Sequence, residues 1–447
     1  MNEFFTRQEI SPNVNPLMAA LVIGKLIDPG IVEEDKKLYR AKYLGKKIIW
    51  IINQYAGSKY HGMGYRSYYF AKEFIRHGYN VFIFSSSYYH GLINPPDTKG
   101  IISFEKIDKI NYFWIKVPKY KKSKSIVRAL SMIVFMIRLF KVKVKNIDPP
   151  DKIIVSSPSP FPILNGYIWS KKYNAKLIFE VRDLWPLSLI ELGSISKYNP
   201  FALLIQRIES FAYKRSDYVI SVLPKADSYM IKHGVNVNKY IHIPNGIDIK
   251  DLHNVEPLED EIIRKIPKGR LVIGYTGALG IANALEYLIK AAYILKKYTD
   301  IFFVIVGNGG EKEKLVNMSC RLNNIMFIEA VRKAQVQNIL KYFDVCYISL
   351  KKEKLFQFGV SPNKLFDYMY AGKSILYAIS SGNDPVKEAN CGISVEAEDT
   401  NAIAETLLKF YRMTEKERNQ LGKNGRDYVI KNHSYESLVK KYIELFE

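Results

Sequence analysis

Ser361-Pro362-Asn363-Lys364-Leu365-Phe366-Asp367-Tyr368-Met369-Tyr370-Ala371-Gly372-Lys373 spells a helix with an anion site at its start. Ser361 is placed to cap the first turn, and Pro362 suits the first helical position, where a missing N–H costs nothing. The unpaired N–H groups of a first turn carry partial positive charge and hold a phosphate without a metal. Lys364 adds a full charge beside them. Asp367 follows Asn363 by four residues and shares its face, where a carboxylate accepts hydrogen bonds from the vicinal hydroxyls of a sugar. Gly372 then stops the helix before an apolar run at residues 374–379 that reads as strand. An ordinary capped surface helix carries the same signals, so the stretch needs support from the rest of the chain.

Outward from it the chain repeats strand, loop and helix. Apolar runs of the kind buried on both faces of a parallel sheet stand at residues 48–52, 80–84, 152–155, 176–179, 218–221 and 240–243. A second set stands at 271–275, 301–306, 325–328, 345–350 and 374–379. Between the sets lies the polar stretch 248–270, with Glu256, Glu259, Asp260 and Glu261, which reads as a hinge. Each set opens with a strand followed by a glycine-bearing loop: Gly57, Gly62 and Gly64 in the first, Gly277-Ala278-Leu279-Gly280 in the second. Such loops at the carboxyl ends of parallel strands are where open α/β sheets bind ligands. Residues 277–280 let backbone N–H groups approach a diphosphate, although a plain strand-to-helix turn would have the same composition. The glycine spacing is not that of a dinucleotide fingerprint, so no nicotinamide cofactor follows. The fold class is α/β, with two Rossmann-like domains facing across a cleft. Residues 1–45 form an N-terminal extension, 46–250 the first domain, 270–430 the second, and 431–447 a C-terminal helix.

Two further segments carry a resemblance. They are Phe179-Glu180-Val181-Arg182-Asp183-Leu184-Trp185-Pro186 and Ile243-Pro244-Asn245-Gly246-Ile247-Asp248. With the Ser361 stretch they resemble the family 4 glycosyltransferases of the GT-B fold. The similarity is greatest to the branch whose version of the helix runs Ser-Pro-Asn-Lys-Leu-Phe-Glu-Tyr. Members of that branch transfer N-acetylated amino sugars in capsule and O-antigen assembly. The resemblance implies a UDP-sugar donor on the second domain, a lipid-linked saccharide acceptor mainly on the first, and a last helix that crosses back to the first domain. Ser361, Asn363 and Lys364 would meet the donor diphosphate from one side and Gly277, Leu279 and Gly280 from the other. Asp367 would bind the ribose, and backbone at Gly307 and Val331 would hold the base, uracil in this family. Asp183 would orient the attacking hydroxyl or stabilise charge at the anomeric carbon; a structural salt bridge with Arg182 is the alternative. Arg182, His61, Gly62 and Gly64 would line the acceptor side. Family 4 enzymes retain anomeric configuration and let the leaving phosphate take the acceptor's proton, so no enzymic nucleophile is required. One departure stands out: relatives often carry a second acid eight residues before the ribose carboxylate, and here that position is Gly359.

Composition bounds the partners. The chain of 447 residues is long enough for two cores, and its net charge of +22 asks for an anionic partner. Cys320, Cys346 and Cys391 are scattered, which points to a reducing compartment without disulfides, and no histidine pair has metal-ligand spacing. We therefore expect no cofactor and no metal, with the UDP-sugar entering as substrate. Lys and Arg recur between residues 116 and 145 without a single Asp or Glu, around the apolar run 129–137. That run is too short to span a bilayer. It suits either an interfacial helix on an anionic membrane or a buried helix of the first domain. Glu3 and Glu9 precede the apolar residues 17–23 and no small-residue cleavage site follows, which argues against a signal peptide. The expected location is cytoplasmic, peripheral on the inner face of the cell membrane.

Two rival functions suit parts of this sequence. A sugar-nucleotide 2-epimerase on the same fold needs paired acids and a histidine in the cleft, a set this sequence does not offer. A nucleic-acid-binding protein would use the charge but leaves the Ser361 helix and the two-domain plan without a purpose, so no nucleic-acid partner is expected.

Overall fold

The computed structural model describes residues 47–120, 125–192, 195–253 and 255–446. The expected 1–45 extension lies outside these residues, as do three of the lysines in the basic segment, Lys121, Lys122 and Lys124.

Two sheets build the molecule. The first holds β1 (Ile48–Ile52), β2 (Asn80–Ser86), β3 (Ile102–Ile107), β4 (Ile110–Ile115), β5 (Lys152–Ser156), β6 (Lys176–Val181), β7 (Tyr218–Ser221) and β8 (Tyr240–His242). Their order is β3-β4-β2-β1-β5-β6-β7-β8, parallel except for the antiparallel pair β3–β4. The second holds β9 (Leu271–Thr276), β10 (Ile301–Val306), β11 (Ile325–Ile328), β12 (Val345–Ser349), β13 (Ser374–Ala378) and β14 (Gly392–Val395), all parallel, in the order β11-β10-β9-β12-β13-β14. β1, β9, β12 and β13 are buried along their whole length, because helices cover both faces of each sheet. The chain reverses its direction of growth at β1/β5 in the first sheet and at β9/β12 in the second. Both switch points put their strand-end loops at a crevice.

Sequence pattern alone does not reveal β3, β4 and β14. β3 is an edge strand, half exposed and carrying Glu105 and Lys106, so it lacks a continuous apolar run. Its turn onto β4 places Asp108 and Lys109 at φ 47° and 70°, the left-handed pair that a two-residue hairpin requires. The expected irregular hinge contains a short helix, Asp260–Lys265, whose first turn holds Asp260 and Glu261 and whose last turn holds Arg264 and Lys265.

The chain crosses between the domains twice at one place. Ile247 N donates to His433 O at 2.8 Å, and Tyr435 N donates to Ile247 O at 3.1 Å. Beyond this crossing the helix Tyr435–Glu444, capped by Ser434, lays Tyr435, Leu438, Val439 and Tyr442, and the chain after it Phe446, into the first sheet's core beside Ile49, Ile51, Phe70 and Phe74. Each such buried side chain contributes about 1.5–3 kcal/mol, so the last helix is a firm part of the first domain. The preceding helix Glu415–His433 packs on the Asn363–Tyr370 helix of the second domain.

Candidate active site

The helix of the opening stretch runs Asn363–Tyr370, starting later than its sequence suggests. Ser361 does not cap it: Ser361 Oγ accepts from Asn245 N at 3.0 Å, and Ser361 O accepts from Asn245 Nδ2 at 2.8 Å. A residue 116 positions away has claimed the capping oxygen, and Pro362 occupies the cap position without a side-chain bond. The consequence is functional. The N–H groups of Ser361, Asn363 and Lys364 donate to no intramolecular partner among the described residues and stand unpaired at the start of the helix.

Lys364 stands beside them. Its ammonium donates to Tyr275 Oη at 2.6 Å and to Asn283 Oδ1 at 2.8 Å, and lies 4.3 Å from the Tyr275 ring centroid. No carboxylate of the described residues is within ion-pair distance of it. Burial without a counter-charge pushes the ammonium down to about 7. Gly277 borders the same space. Its φ is +147°, and a Cβ there would meet Lys364 Nζ at 3.0 Å. Gly307, at φ +152°, lies against Gly277 O so closely that any side chain would collide with it. Within the 277–280 loop the N–H groups of Gly277 and Leu279 are spent on Val306 O and Asn308 O, at 3.0 and 2.9 Å. Those of Ala278 and Gly280 remain unbonded among the described residues. The anion-ready groups are therefore Lys364, the helix start, and the N–H groups of Ala278 and Gly280.

Asp367 is buried, and Lys333 holds its Oδ1 and Oδ2 at 2.6 Å each. Lys333 follows Val331 and Arg332 in the loop after β11, a residue the sequence reading missed because it lies 34 positions from its partner.

Across the cleft, β6 ends in Glu180-Val181-Arg182-Asp183. Glu180 is buried and accepts from Arg66 Nε at 2.8 Å, from Ser156 Oγ at 2.7 Å and from Tyr442 Oη. Burial opposes its charge, yet Arg66 and Arg182 hold its carboxyl below the usual range. Arg66 also donates to Ile243 O at 2.9 Å and to Pro244 O, which ties the interdomain segment to β6. Arg182 pairs with no carboxylate among the described residues; burial and Arg66 lower its pKa while Glu180 supports it. Asp183 turns into its own loop, with Oδ2 accepting from Trp185 Nε1 at 3.1 Å and Oδ1 from Ser188 Oγ. It does not pair with Arg182. His61 is buried, with Nδ1 2.8 Å from Ser58 Oγ, Nε2 3.4 Å from Glu105 and its ring 4.9 Å from that of Trp114. Gly62 and Gly64, at φ +121° and +102°, are where this loop folds against Gly91 O and Tyr55 O. The structure gives these three residues a role in shaping the loop.

One further hydrogen bond and one close contact also register the halves. Lys225 N donates to Phe358 O at 3.0 Å, and Gly359 is pressed against Pro224, where a Cβ would lie 2.6 Å from the proline ring. The position where relatives carry an acid thus has no room for a side chain.

Residues 60–251 match the model for Glycosyltransferase Family 4, and residues 259–428 match the model for Glycosyl transferases group 1. The two matches meet at the hinge and cover both domains in order. The chain is a family 4 glycosyltransferase. WbjE of Pseudomonas aeruginosa, assigned as a glycosyltransferase, is 25% identical to the enzyme over 345 residues, spanning 73% of this chain and 82% of its own. WcaI of Escherichia coli, assigned as a glycosyl transferase of colanic acid biosynthesis, is 26% identical over 230 residues, 50% of this chain and 56% of its own. Among solved structures, Anabaena Alr3699/HepE in complex with UDP and glucose superposes with a TM-score of 0.60 at 14% identity, covering 90% of this chain and 99% of its own. That likeness establishes the fold, which is GT-B. In the second domain of the glycosyltransferase Gly277 thus lies against Lys364, with Asp367 three residues further along the same helix, and in the first Arg182 and Asp183 follow the end of β6. Among the described residues no cluster of histidine, cysteine or carboxylate side chains is arranged to hold a metal, and no helix is long and apolar enough to cross a membrane.

Proposed function

We propose that the enzyme is a retaining glycosyltransferase that moves an N-acetylated amino sugar or deoxy sugar from a UDP donor to a lipid-linked saccharide in surface polysaccharide assembly. Lys364 carries this reading: a cation with no carboxylate partner, beside unbonded N–H groups and a glycine loop, is a site waiting for a diphosphate. The donor's diphosphate lies between Lys364 and the N–H groups of Ala278 and Gly280, and its charge grows as the sugar departs. A fixed cation and fixed N–H dipoles stabilise that growing charge more than the ground state. The bond from the anomeric carbon to the diphosphate oxygen breaks, the acceptor hydroxyl bonds to the same face, and its proton passes to the departing phosphate. Arg182 lines the acceptor side, and the Asp183 carboxylate, held by Trp185 and Ser188, stabilises the positive charge that develops at the anomeric carbon. The colanic acid assignment of WcaI and the UDP-bound HepE structure support the substrate classes.

The acceptor's lipid places the enzyme on the cytoplasmic face of the membrane, and the helix Ile126–Leu139 is the element suited to meet it. Ile126, Val127, Leu130 and Ile137 are exposed, Ile126 to 79%, while Met132, Phe135 and Leu139 are buried. Ile133 packs on the core, so the outward apolar face is narrower than the sequence implied. Arg128 faces inward, over the Tyr55 and Trp185 rings.

The test is to incubate the enzyme with a panel of UDP-sugars and lipid-linked acceptors and measure UDP release and product. Acceptor-dependent UDP release, undiminished in excess chelator, is expected. Transfer from none of the UDP donors, or strict dependence on added magnesium, would reject the reading.

A further inference from the structure

A cavity of about 410 Å³ opens at the seam between the domains, behind the helix Asn363–Tyr370. Phe366 lines it, and Phe366 follows Lys364 by two residues, so the two side chains leave the helix about 200° apart. The cavity therefore lies on the face away from Lys364. Its volume is within the range of small-molecule sites, about 300–1,000 Å³. The first domain contributes His242 at the end of β8, with Lys441 from the last helix packed on that domain. Lys431 and His433 come from the end of the helix before it.

Both imidazoles are anchored by one nitrogen. His242 Nε2 lies 3.3 Å from Val222 O, and His433 Nδ1 lies 3.2 Å from Asn245 O. A carbonyl only accepts, so each of these nitrogens carries the proton and the other keeps a lone pair. Neither His242 Nδ1 nor His433 Nε2 has a hydrogen-bond partner among the described residues. Burial, helped by the Lys441 ammonium, pushes both rings down to about 4, so near pH 7 they are neutral acceptors. His433 is 8% exposed and stacks on Phe366 with ring centres 4.3 Å apart, which fixes its plane. Lys431 and Lys441 are exposed and pair with no carboxylate among the described residues. The carboxylate of the lining, Glu388, is engaged by Tyr428 Oη at 3.0 Å.

We propose that this cavity is a second ligand site, for a phosphorylated sugar, which the two domains share. The phosphate meets Lys431 and Lys441, and sugar hydroxyls donate to His242 Nδ1 and His433 Nε2. A metal cation would be repelled by the two ammonium groups, and a bare phosphate would meet the imidazole lone pairs with oxygens that cannot donate. A ligand with an anionic group and hydroxyl donors satisfies both sets. The site does not depend on the donor assignment.

Calorimetric titration of the full chain tests this, with UDP present to fill the donor site and thermal unfolding as the control for fold. The probes are glucose 1-phosphate, glucose 6-phosphate, inorganic phosphate and glucose. One of the hexose phosphates should bind about tenfold more tightly than inorganic phosphate, and glucose more weakly than that hexose phosphate. Lys441→Gln, at an exposed position, should weaken binding of the hexose phosphate by about tenfold. His242→Phe keeps a ring of similar shape and removes the lone pair, so it should narrow the preference over inorganic phosphate. Equal affinity for hexose phosphate and inorganic phosphate would overturn the proposal and leave an adventitious anion site. Unchanged binding in Lys441→Gln, unchanged preference in a folded His242→Phe, or failure of both hexose phosphates to bind would overturn it as well.

Discussion

The ammonium of Lys364 lies 2.6 Å from the hydroxyl of Tyr275 and 4.3 Å from the centre of its ring, with no carboxylate of the described residues in reach. A cation so placed is held by neutral partners alone, and it is free to meet an anion.

The first prediction concerns protons at this lysine. Burial brings it to about 7 from 10.5, so between those values the unfolded chain binds a proton that the folded chain has released. Stability from this group accordingly rises with pH across that window. Lys364→Met should flatten that part of the unfolding profile. A diphosphate restores the charge, so UDP binding above pH 7 should take up protons and weaken as pH rises. Calorimetry in buffers of different ionisation enthalpy reads the uptake. In Lys364→Met we expect weaker binding, by about tenfold or more, and no pH dependence from this source.

The second concerns Arg66 and Glu180, each nearly unexposed and 2.8 Å apart. Removing one charge leaves the other buried without its partner, so Glu180→Gln or Arg66→Met should cost about 3–5 kcal/mol in denaturant unfolding. The double variant should cost less than the sum. Glu180 has its pKa depressed in the folded state, so the pair's stability is present above the ordinary carboxylate value of 4.5 and is lost as pH falls through the lower folded value. Tyr442→Phe, which removes one bond to Glu180, should loosen the last helix and leave the sheet intact.

A third separates charge from bracing at Asp183. Ser188→Ala and Trp185→Phe remove the two donors that hold the carboxylate and keep the acid. Both should lower the melting temperature and leave most of kcat. Asp183→Asn keeps an acceptor oxygen and removes the charge, and kcat should fall on the order of 100-fold with KM nearly unchanged. Equal kinetic losses in all three variants would make Asp183 a brace only.

A fourth prediction addresses the helix Ile126–Leu139. Each Lys or Arg near an anionic surface contributes about 1 kcal/mol, screened within about 8 Å at physiological salt. Co-sedimentation with anionic vesicles should fall as salt rises, to a floor set by apolar insertion. Replacing Ile126, Leu130 and Ile137 by Ser should remove the floor, and replacing Lys119, Lys121, Lys122 and Lys124 by Gln should remove the salt-dependent part. Indifference of wild type to anionic vesicles at low salt would rule out the surface.

The sequence made most strands legible because buried parallel strands are continuous apolar runs, as in β1 and β10. It hid β3, whose one dry face alternates with charged residues at a sheet edge. Local chemistry misled at Ser361 because a tertiary partner, Asn245, outcompeted the helix start for its oxygen. The same limit applied to Lys333: nothing local marks a lysine whose carboxylate lies on another element. Loop glycines were recognised, but their purpose was not. At Gly62 and Gly64 close backbone packing requires them, whereas at Gly277 the neighbour is the Lys364 ammonium.

The most direct test of the central claim is the structure of the enzyme with UDP bound. The account predicts diphosphate oxygens within hydrogen-bonding distance of Lys364 Nζ and of the N–H groups of Ala278, Gly280 and the Asn363 helix start. A diphosphate bound elsewhere, with Lys364 still held only by Tyr275 and Asn283, would contradict it.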